Sequence, residues 1–382
     1  MKRRLVIFKS VLIKFNEFQY YGEESVVVLS FFFYIYYISM YLYKITIVLL
    51  LTILIYVLFC LLIKRRQIMI GREGLTNSAG LKEIENLKSS DGPGFSSVEN
   101  PLLPLREYCV KSSYNTALSG QYVSTDMIKY VLTRGCRFLD FEIFFIKGGP
   151  CVAYSTDPTF VTITSQNNIT LTEALRTVIE NGFSGPSPNL KDPIFIQFRI
   201  KSTNLAIYNM IGMAVHNILR TRLYTEHVDG STPLNLLLGS IVLIVDKRLS
   251  PDYSKSENYS NCSNQLNKEC YLLSKYTAIE SGSGTLRMYS YQNLTNQATT
   301  PPTILNPYNT DISLLRLVVP TYEDSSNPNS ADFIENYGVQ FISNRFYLHD
   351  KGLTDYENFF YKNKSALVPF STALQFLYSN NE

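Results

Sequence analysis

The sequence has no tryptophan and only three histidines among its 382 residues, His216, His227 and His349. A mechanism that needs two histidines must draw on these three. The six cysteines show no C-x-x-C spacing, which argues against a zinc site. The formal net charge of +3 is too small to argue for a nucleic-acid partner. No glycine-rich phosphate loop follows the first strand-like run, which counts against a nucleotide-binding fold.

What the chain does have is a long apolar N-terminal region. Residues 45–63 carry no charge and approach the roughly 20 residues that cross a bilayer core. A second apolar stretch, residues 25–43, precedes them and is separated only by Lys44. Two arrangements fit this pattern. One is a single spanning helix with an apolar extension, and the other is a tight helical hairpin. The hairpin would need turn residues, and the MYLYK junction has none. A signal peptide is disfavoured because no small-residue cleavage site follows the apolar run. Translation could also start at Met40, which would leave a single signal anchor.

Charges flanking the apolar region predict its orientation. Lys64, Arg65, Arg66 and Arg72 follow it, and basic residues favour the cytosolic side of a membrane. Five N-x-S/T sequons point the other way, but such triplets arise by chance in an Asn-rich chain. We therefore expect a membrane-anchored protein with its folded part on the cytosolic side.

The rest of the chain divides into two parts by composition. Residues 67–100 are rich in Gly, Ser, Asn and Glu, and predict a flexible linker with one short helix around residues 81–87. Residues 101–382 alternate apolar strand-like runs, such as FLDFEIFFI and PIFIQFRI, with helical ones, which predicts an α/β fold with parallel strands. About 280 residues suit a TIM-type (β/α) barrel. An open doubly wound sheet is the alternative. The sequence thus predicts three parts: a membrane segment at residues 1–66, a linker at residues 67–100 and a barrel at residues 101–382.

Several stretches of the predicted barrel resemble phosphoinositide-specific phospholipase C. PLREYCVKSSYNTALSGQ and TRGCRFLDFEIF resemble the X box of that family, and DPIFIQFRI resembles the strand that follows. LRMYSYQNL and NYGVQFISNRF resemble parts of the Y box. The resemblance implies a PLC-like phosphodiesterase barrel. It also implies an activity on inositol phospholipids that uses two histidines and, in the eukaryotic branch, a calcium ion.

The resemblance also implies that both catalytic histidines are replaced. The first histidine position falls on Tyr114, and the second falls on Tyr154 or Ser155. Tyrosine, with a pKa near 10, is a poor substitute for histidine in proton transfer at neutral pH. Asp140 occupies the position of the family's base. The ligand-binding positions implied by the resemblance are Asn115, Asp140, Glu142, Arg199, Arg287 and Tyr289.

The calcium site implied by the resemblance is altered as well. Asn115, Asp140 and Glu142 would be its ligands, and the spacing of the two acids on one strand directs both carboxylates to the same face. Arg199 stands where the family has a further carboxylate, and its charge would repel a metal ion. We therefore expect no cofactor, with calcium doubtful, and hypothesise that Arg199 replaces the calcium charge by pairing with the acids.

Three functions remain open from the sequence. The first is a membrane-anchored pseudoenzyme that retains binding of a phosphate or inositol headgroup, with a membrane phosphoinositide as partner and no nucleic acid. The second is a divergent phosphoric diester hydrolase acting on inositol phospholipids. The third is a structural or interaction protein of a membrane or viral particle, with protein partners that the sequence does not name.

Overall fold

The computed structural model describes residues 24–87, 94–95, 98, 101–157, 159, 162–254, 271–297 and 312–381. The chain forms two compact units, Met1–Glu73 and Gly74–Glu382.

Helix α1 (Glu24–Leu87) contains the candidate membrane segment. Within the described residues, Tyr34–Leu58 is the one helical stretch long and apolar enough to cross a membrane by length and composition. Nearly all of its large side chains whose burial is described are exposed, Met40 being half-buried. The helix runs without a break through the MYLYK junction, so the described residues contain one candidate span and no hairpin turn.

Twelve strands and seven further α-helices make up the described part of the second unit. The strands are β1 (Tyr108–Ser113), β2 (Phe138–Ile146), β3 (Gly149–Val152), β4 (Ile169–Thr170), β5 (Ile194–Ile200), β6 (Leu223–Tyr224), β7 (Ile241–Asp246), β8 (Ile279–Ser281), β9 (Leu286–Ser290), β10 (Leu315–Val319), β11 (Phe341–Asn344) and β12 (Leu367–Pro369). The helices are α2 (Thr125–Thr133), α3 (Leu171–Gly182), α4 (Ala206–Leu219), α5 (Tyr291–Gln297), α6 (Ser330–Glu335), α7 (Lys351–Lys362) and α8 (Phe370–Asn381).

Eight of these strands close into a parallel barrel. Their order is β1, β2, β5, β7, β8, β9, β10 and β11, and β11 pairs with β1 to complete the ring. Strands β3 and β4 extend the sheet antiparallel from β2, β12 lies antiparallel to β1, and β6 pairs with β7. Because β1 has neighbours on both sides, the predicted TIM-type barrel is confirmed and the open doubly wound sheet is not.

The interior of the barrel changes from apolar to polar along its axis. Phe138, Phe195 and Phe341 meet in its lower part, with ring centroids 5.0 and 5.3 Å apart. Strand side chains alternate between the two faces of a sheet, so Asp140 and Glu142 continue the inward face that Phe138 begins. The phenylalanines exclude water below, and the carboxylates lie above them towards the carboxyl ends of the strands.

The TRGCR stretch of the X-box resemblance has a structural role. Arg137 is fully buried and donates hydrogen bonds to the Gly182 carbonyl at 2.7 Å and to Ser187 Oγ at 3.0 Å. Burial lowers the pKa of Arg137 to about 10. This side chain therefore ties the end of α3 and the loop that follows it to the start of β2.

Part of the expected linker belongs to the folded unit. The structure continues α1 through Leu87, and Ile84 and Leu87 are buried in the core of the barrel unit. Glu83 accepts a 2.6 Å hydrogen bond from Ser119 Oγ, and the Tyr130 hydroxyl donates to the Leu87 carbonyl at 2.7 Å. The helix expected around residues 81–87 is therefore present, and it packs on the barrel.

Candidate functional site

The mouth of the barrel gathers polar residues from three neighbouring strands. Tyr114 and Asn115 follow β1, Asp140 and Glu142 lie on β2, and Arg199 lies on β5 directly across from Glu142. Asn115 has φ 44°, a left-handed conformation that asparagine tolerates better than most residues. Its backbone N–H thereby donates to Asp140 Oδ2 at 2.9 Å.

Arg199 is the centre of this cluster. Its Nε and Nη2 donate to Asp140 Oδ1 and Oδ2 at 2.8 and 2.6 Å, a two-pronged pairing that suits a planar guanidinium. The second Nη2 proton goes to Asn115 Oδ1 at 2.8 Å. Nη1 donates to Glu142 Oε1 at 2.7 Å and to the Tyr114 hydroxyl at 3.1 Å. A guanidinium has five N–H donors, so Arg199 is saturated.

All four oxygens of the two carboxylates are engaged as well. Glu142 Oε2 accepts the backbone N–H of Ser155 at 3.0 Å and lies 3.1 Å from Lys201 Nζ. Lys201 Nζ also donates to the Ser155 carbonyl at 3.0 Å. Both oxygens of Asp140 are taken by Arg199, as described above. Two buried anions therefore face two largely buried cations, and their charges cancel.

Burial and charge act in opposite directions on the titrating groups of the cluster. Burial by itself would lower the pKa of Arg199, but the adjacent carboxylates of Asp140 and Glu142 outweigh it and raise that pKa well above its ordinary value. Burial raises the pKa of the Tyr114 phenol. Burial lowers the pKa of Lys201, and Glu142 only partly offsets this effect. Arg199 is therefore charged and Tyr114 neutral at physiological pH.

The oxygen ligands expected for calcium do come together, but around a guanidinium. Calcium prefers six to eight oxygen ligands. Here the Asn115 and Asp140 oxygens each accept a hydrogen bond from Arg199, and Glu142 bridges Arg199 and Lys201. No group of three or more His, Cys, Asp or Glu side chains that could hold a metal ion occurs within the described residues. The residues present do not fit a calcium ion.

A cleft of about 260 Å³ opens above the cluster. Four aromatic side chains, Tyr114, Tyr154, Tyr322 and Tyr347, line it together with Lys201 and Arg345. Arg345 is 8% exposed and donates to the carbonyls of two residues in the loop after β10. Sequence reasoning missed Lys201, Arg345 and Tyr347. Their position could have identified them, because each residue follows the carboxyl end of a barrel strand, and active sites of this fold lie at that end.

Comparison with known proteins agrees with this architecture. The family model for the phosphatidylinositol-specific phospholipase C X domain matches residues 102–246. Residues 102–246 therefore correspond to a phosphatidylinositol-specific phospholipase C X domain.

Solved structures resemble the chain in fold. The crystal structure of PLC21 from L. pealei aligns with a TM-score of 0.53 and 16% identity over 71% of this chain and 37% of that one. PLC21 from S. officinalis aligns with a TM-score of 0.52, 16% identity and the same coverage. This chain thus spans little more than a third of the length of those two structures. A search of curated proteins finds no match.

The barrel has no histidine at its mouth within the described residues. His216 lies on α4 and its Nδ1 is 3.1 Å from the Tyr276 hydroxyl, between the helices and loops outside the barrel. His227 and His349 are exposed. At the two positions where the family has histidines, the side chain of Tyr114 contacts Arg199 and that of Tyr154 lines the cleft. Ser155 lines it too, and its hydroxyl donates to the Thr162 carbonyl at 2.5 Å.

Two of the expected ligand contacts are not brought to the cluster. Met288 on β9 contacts Gln197 inside the barrel, with 3.5 Å between Gln197 Nε2 and the Met288 sulfur. Because strand side chains alternate, Arg287 and Tyr289 lie on the outer face of β9. Arg287 is exposed there, beside Arg316 of β10. The structure therefore unites Tyr114, Asn115, Asp140, Glu142, Tyr154, Ser155 and Arg199, and separates Arg287 and Tyr289 from them.

Proposed function

We propose that this protein is a membrane-anchored phospholipase C-like pseudoenzyme that binds a phospholipid headgroup in the barrel mouth without hydrolysing it. The observation that carries the proposal is the saturated Arg199 guanidinium between Asp140 and Glu142. It occupies the place where the reaction of the family needs a metal ion and a free carboxylate.

The loss of turnover follows from the state of each acid and base. A general base must accept a proton from the attacking hydroxyl, yet both oxygens of Asp140 already accept hydrogen bonds from Arg199. A general acid near neutral pKa is missing, since Tyr114 and Tyr154 are phenols whose pKa burial raises. Loss of general acid–base catalysis costs roughly 10²–10⁴ in rate. Loss of the metal's charge stabilisation adds to that cost.

Headgroup binding is supported by the cleft that remains. Its volume of about 260 Å³ is near the lower end of the range for ligand sites and suits one small polar group. Lys201 and Arg345 line it, while the carboxylates of Asp140 and Glu142 are neutralised. Because Glu142 matches the charge of Lys201, the attraction for an anion comes from Arg345, with the carboxylate of Asp157 at the rim opposing it.

Membrane anchoring is supported by the apolar stretch Tyr34–Leu58 of α1. Its length exceeds the roughly 20 residues required to cross a bilayer. The basic residues that follow this region favour a cytosolic barrel. A lipid headgroup is then the ligand most available to the mouth.

The test is a hydrolysis assay on the full chain purified in detergent. A fluorogenic inositol phosphodiester is incubated with the protein in calcium and in EDTA, with an active calcium-dependent phospholipase C as positive control. We expect no hydrolysis above buffer in either condition. Hydrolysis that scales with protein concentration would establish a divergent phosphodiesterase and overturn the proposal.

Binding is measured separately, because a catalytically silent barrel can also be a scaffold. The full chain is reconstituted in neutral nanodiscs and mixed with vesicles that contain phosphoinositide or only neutral lipid. We expect capture by the phosphoinositide vesicles alone. Equal capture by both vesicle types would favour a structural or interaction protein.

A further inference from the structure

Three half-buried tyrosine side chains line the cleft of the mouth, beside the exposed Tyr322. Tyr114 follows β1, Tyr154 follows β3 and Tyr347 follows β11, and all three line the same cavity. Each is half-buried, and burial is the main reason that the pKa of each phenol is raised. The three groups therefore keep their protons at neutral pH and are available as neutral O–H donors.

No acceptor among the described residues takes the protons of these three phenols. Within the described part of the chain, the hydroxyls of Tyr154 and Tyr347 have no hydrogen-bond partner. The Tyr114 hydroxyl accepts a hydrogen bond from Arg199 at 3.1 Å, which leaves its own proton to be donated. The cleft thus holds three O–H donors within one small cavity.

Acceptors, by contrast, are used up. Asp140 and Glu142 are engaged by Arg199, Lys201 and backbone N–H groups. Asp157 at the rim accepts the backbone N–H and hydroxyl of Thr159 with Oδ1, and those of Thr162 with Oδ2. A polyol ring presents O–H groups that need acceptors, and apart from the phenol oxygens themselves the acceptors named here are already engaged. A group that only accepts hydrogen bonds fits better.

We propose that this cleft binds the terminal phosphate of a phosphomonoester through the hydroxyls of Tyr114, Tyr154 and Tyr347, without calcium and without selecting an inositol ring. A phosphomonoester has three free acceptor oxygens and a charge of −1.5 to −2 at neutral pH, which matches three O–H donors beside Lys201 and Arg345. A phosphodiester offers only two free oxygens. The proposal rests on the headgroup binding proposed above and specifies its ligand.

The experiment is isothermal titration calorimetry on the full chain in dodecyl maltoside with EDTA. The probes are glycerol 3-phosphate, inorganic phosphate and myo-inositol. We expect the two phosphates to bind and myo-inositol to give no heat of binding. Tyr154→Phe and Tyr347→Phe each remove one hydroxyl and keep the ring, so each should weaken phosphate binding about five- to tenfold. Tyr361→Phe, at an exposed position on α7, is the matched control and should bind like the wild type.

Each outcome decides a different point. Phosphate binding that neither Phe variant weakens, or binding that requires the inositol ring, overturns the phenol site and leaves headgroup binding standing. A chain that binds neither soluble phosphates nor phosphoinositide vesicles overturns both proposals. Competition of glycerol 3-phosphate with vesicles containing phosphatidic acid would identify a lipid as the source of the phosphate. Binding of soluble phosphate without any vesicle capture would identify a free phosphomonoester.

Discussion

Replacement of Arg199 by methionine tests the central feature of the mouth. Methionine fills similar space but removes five hydrogen-bond donors and one charge, which leaves Asp140 and Glu142 buried with only Lys201 as a cationic partner. Breaking a buried ion pair by removing one partner costs about 3–5 kcal/mol. For a domain of this size that loss corresponds to a fall in Tm of about 6–20 °C.

The assay is thermal and urea unfolding of the full chain in detergent, followed by circular dichroism. Arg106→Met is the matched control, because Arg106 forms a 3.1 Å surface pair with Glu107 and its loss should cost less than about 1 kcal/mol. Adding Asp140→Asn and Glu142→Gln to the Arg199→Met variant should recover part of the loss, since the uncompensated charges are then gone. A loss for Arg199→Met no larger than that of the control would refute the charge-pairing account of the site.

Three further predictions concern metal, histidine and pH. Arg199→Glu places a third carboxylate beside Asn115, so calcium should raise the Tm of the variant but not that of the wild type. Equal Tm values of the variant in calcium and in EDTA would contradict this. Tyr114→His combined with Tyr154→His should not produce phosphodiester hydrolysis while Arg199 remains, and measurable turnover in that variant would show that the guanidinium is no obstacle. Glu357 is mostly buried, which would raise its pKa, but Lys111 Nζ at 3.2 Å helps to hold that pKa below the ordinary value. Its ionised form therefore stabilises the fold above about pH 4.3, and this contribution is lost as the pH falls through the folded pKa. Wild type should lose stability on acidification more steeply than Glu357→Gln, and parallel unfolding curves against pH would contradict the prediction.

Some of the mouth could be predicted from sequence because its residues lie on strands with a fixed period. Asp140 and Glu142 are two residues apart on β2, so their shared face follows from strand geometry. The place of Arg199 beside them follows from the parallel pairing of β2 with β5, which is the default for alternating strands and helices. The hypothesis of an Arg199 ion pair came from the resemblance, which puts Arg199 at the position of a carboxylate, and the pairing of β2 with β5 agrees with it.

Other residues depended on information that the sequence does not display. The face of β9 on which Arg287 lies is set by its register against β10, and a shift of one residue would reverse it. Tyr347 and Lys201 belong to loops and strand ends, where side-chain direction follows no short period. Residues 80–87 lie in a polar stretch, yet Ile84 and Leu87 are buried because the barrel offers them an apolar surface.

The replacement of histidine at the two positions implied by the resemblance could be read from the sequence, whereas the places of His216, His227 and His349 away from the mouth were decided by the structure. The apolar N-terminal segment and the strand–helix alternation were decided by composition and period. Only the tertiary structure decided what fills the mouth. Closure of the barrel brings β1, β2 and β5 together, and the guanidinium then meets two carboxylates, an amide and a phenol at once. Hydrogen bonding of that kind depends on distances between strands, which no single stretch of sequence encodes.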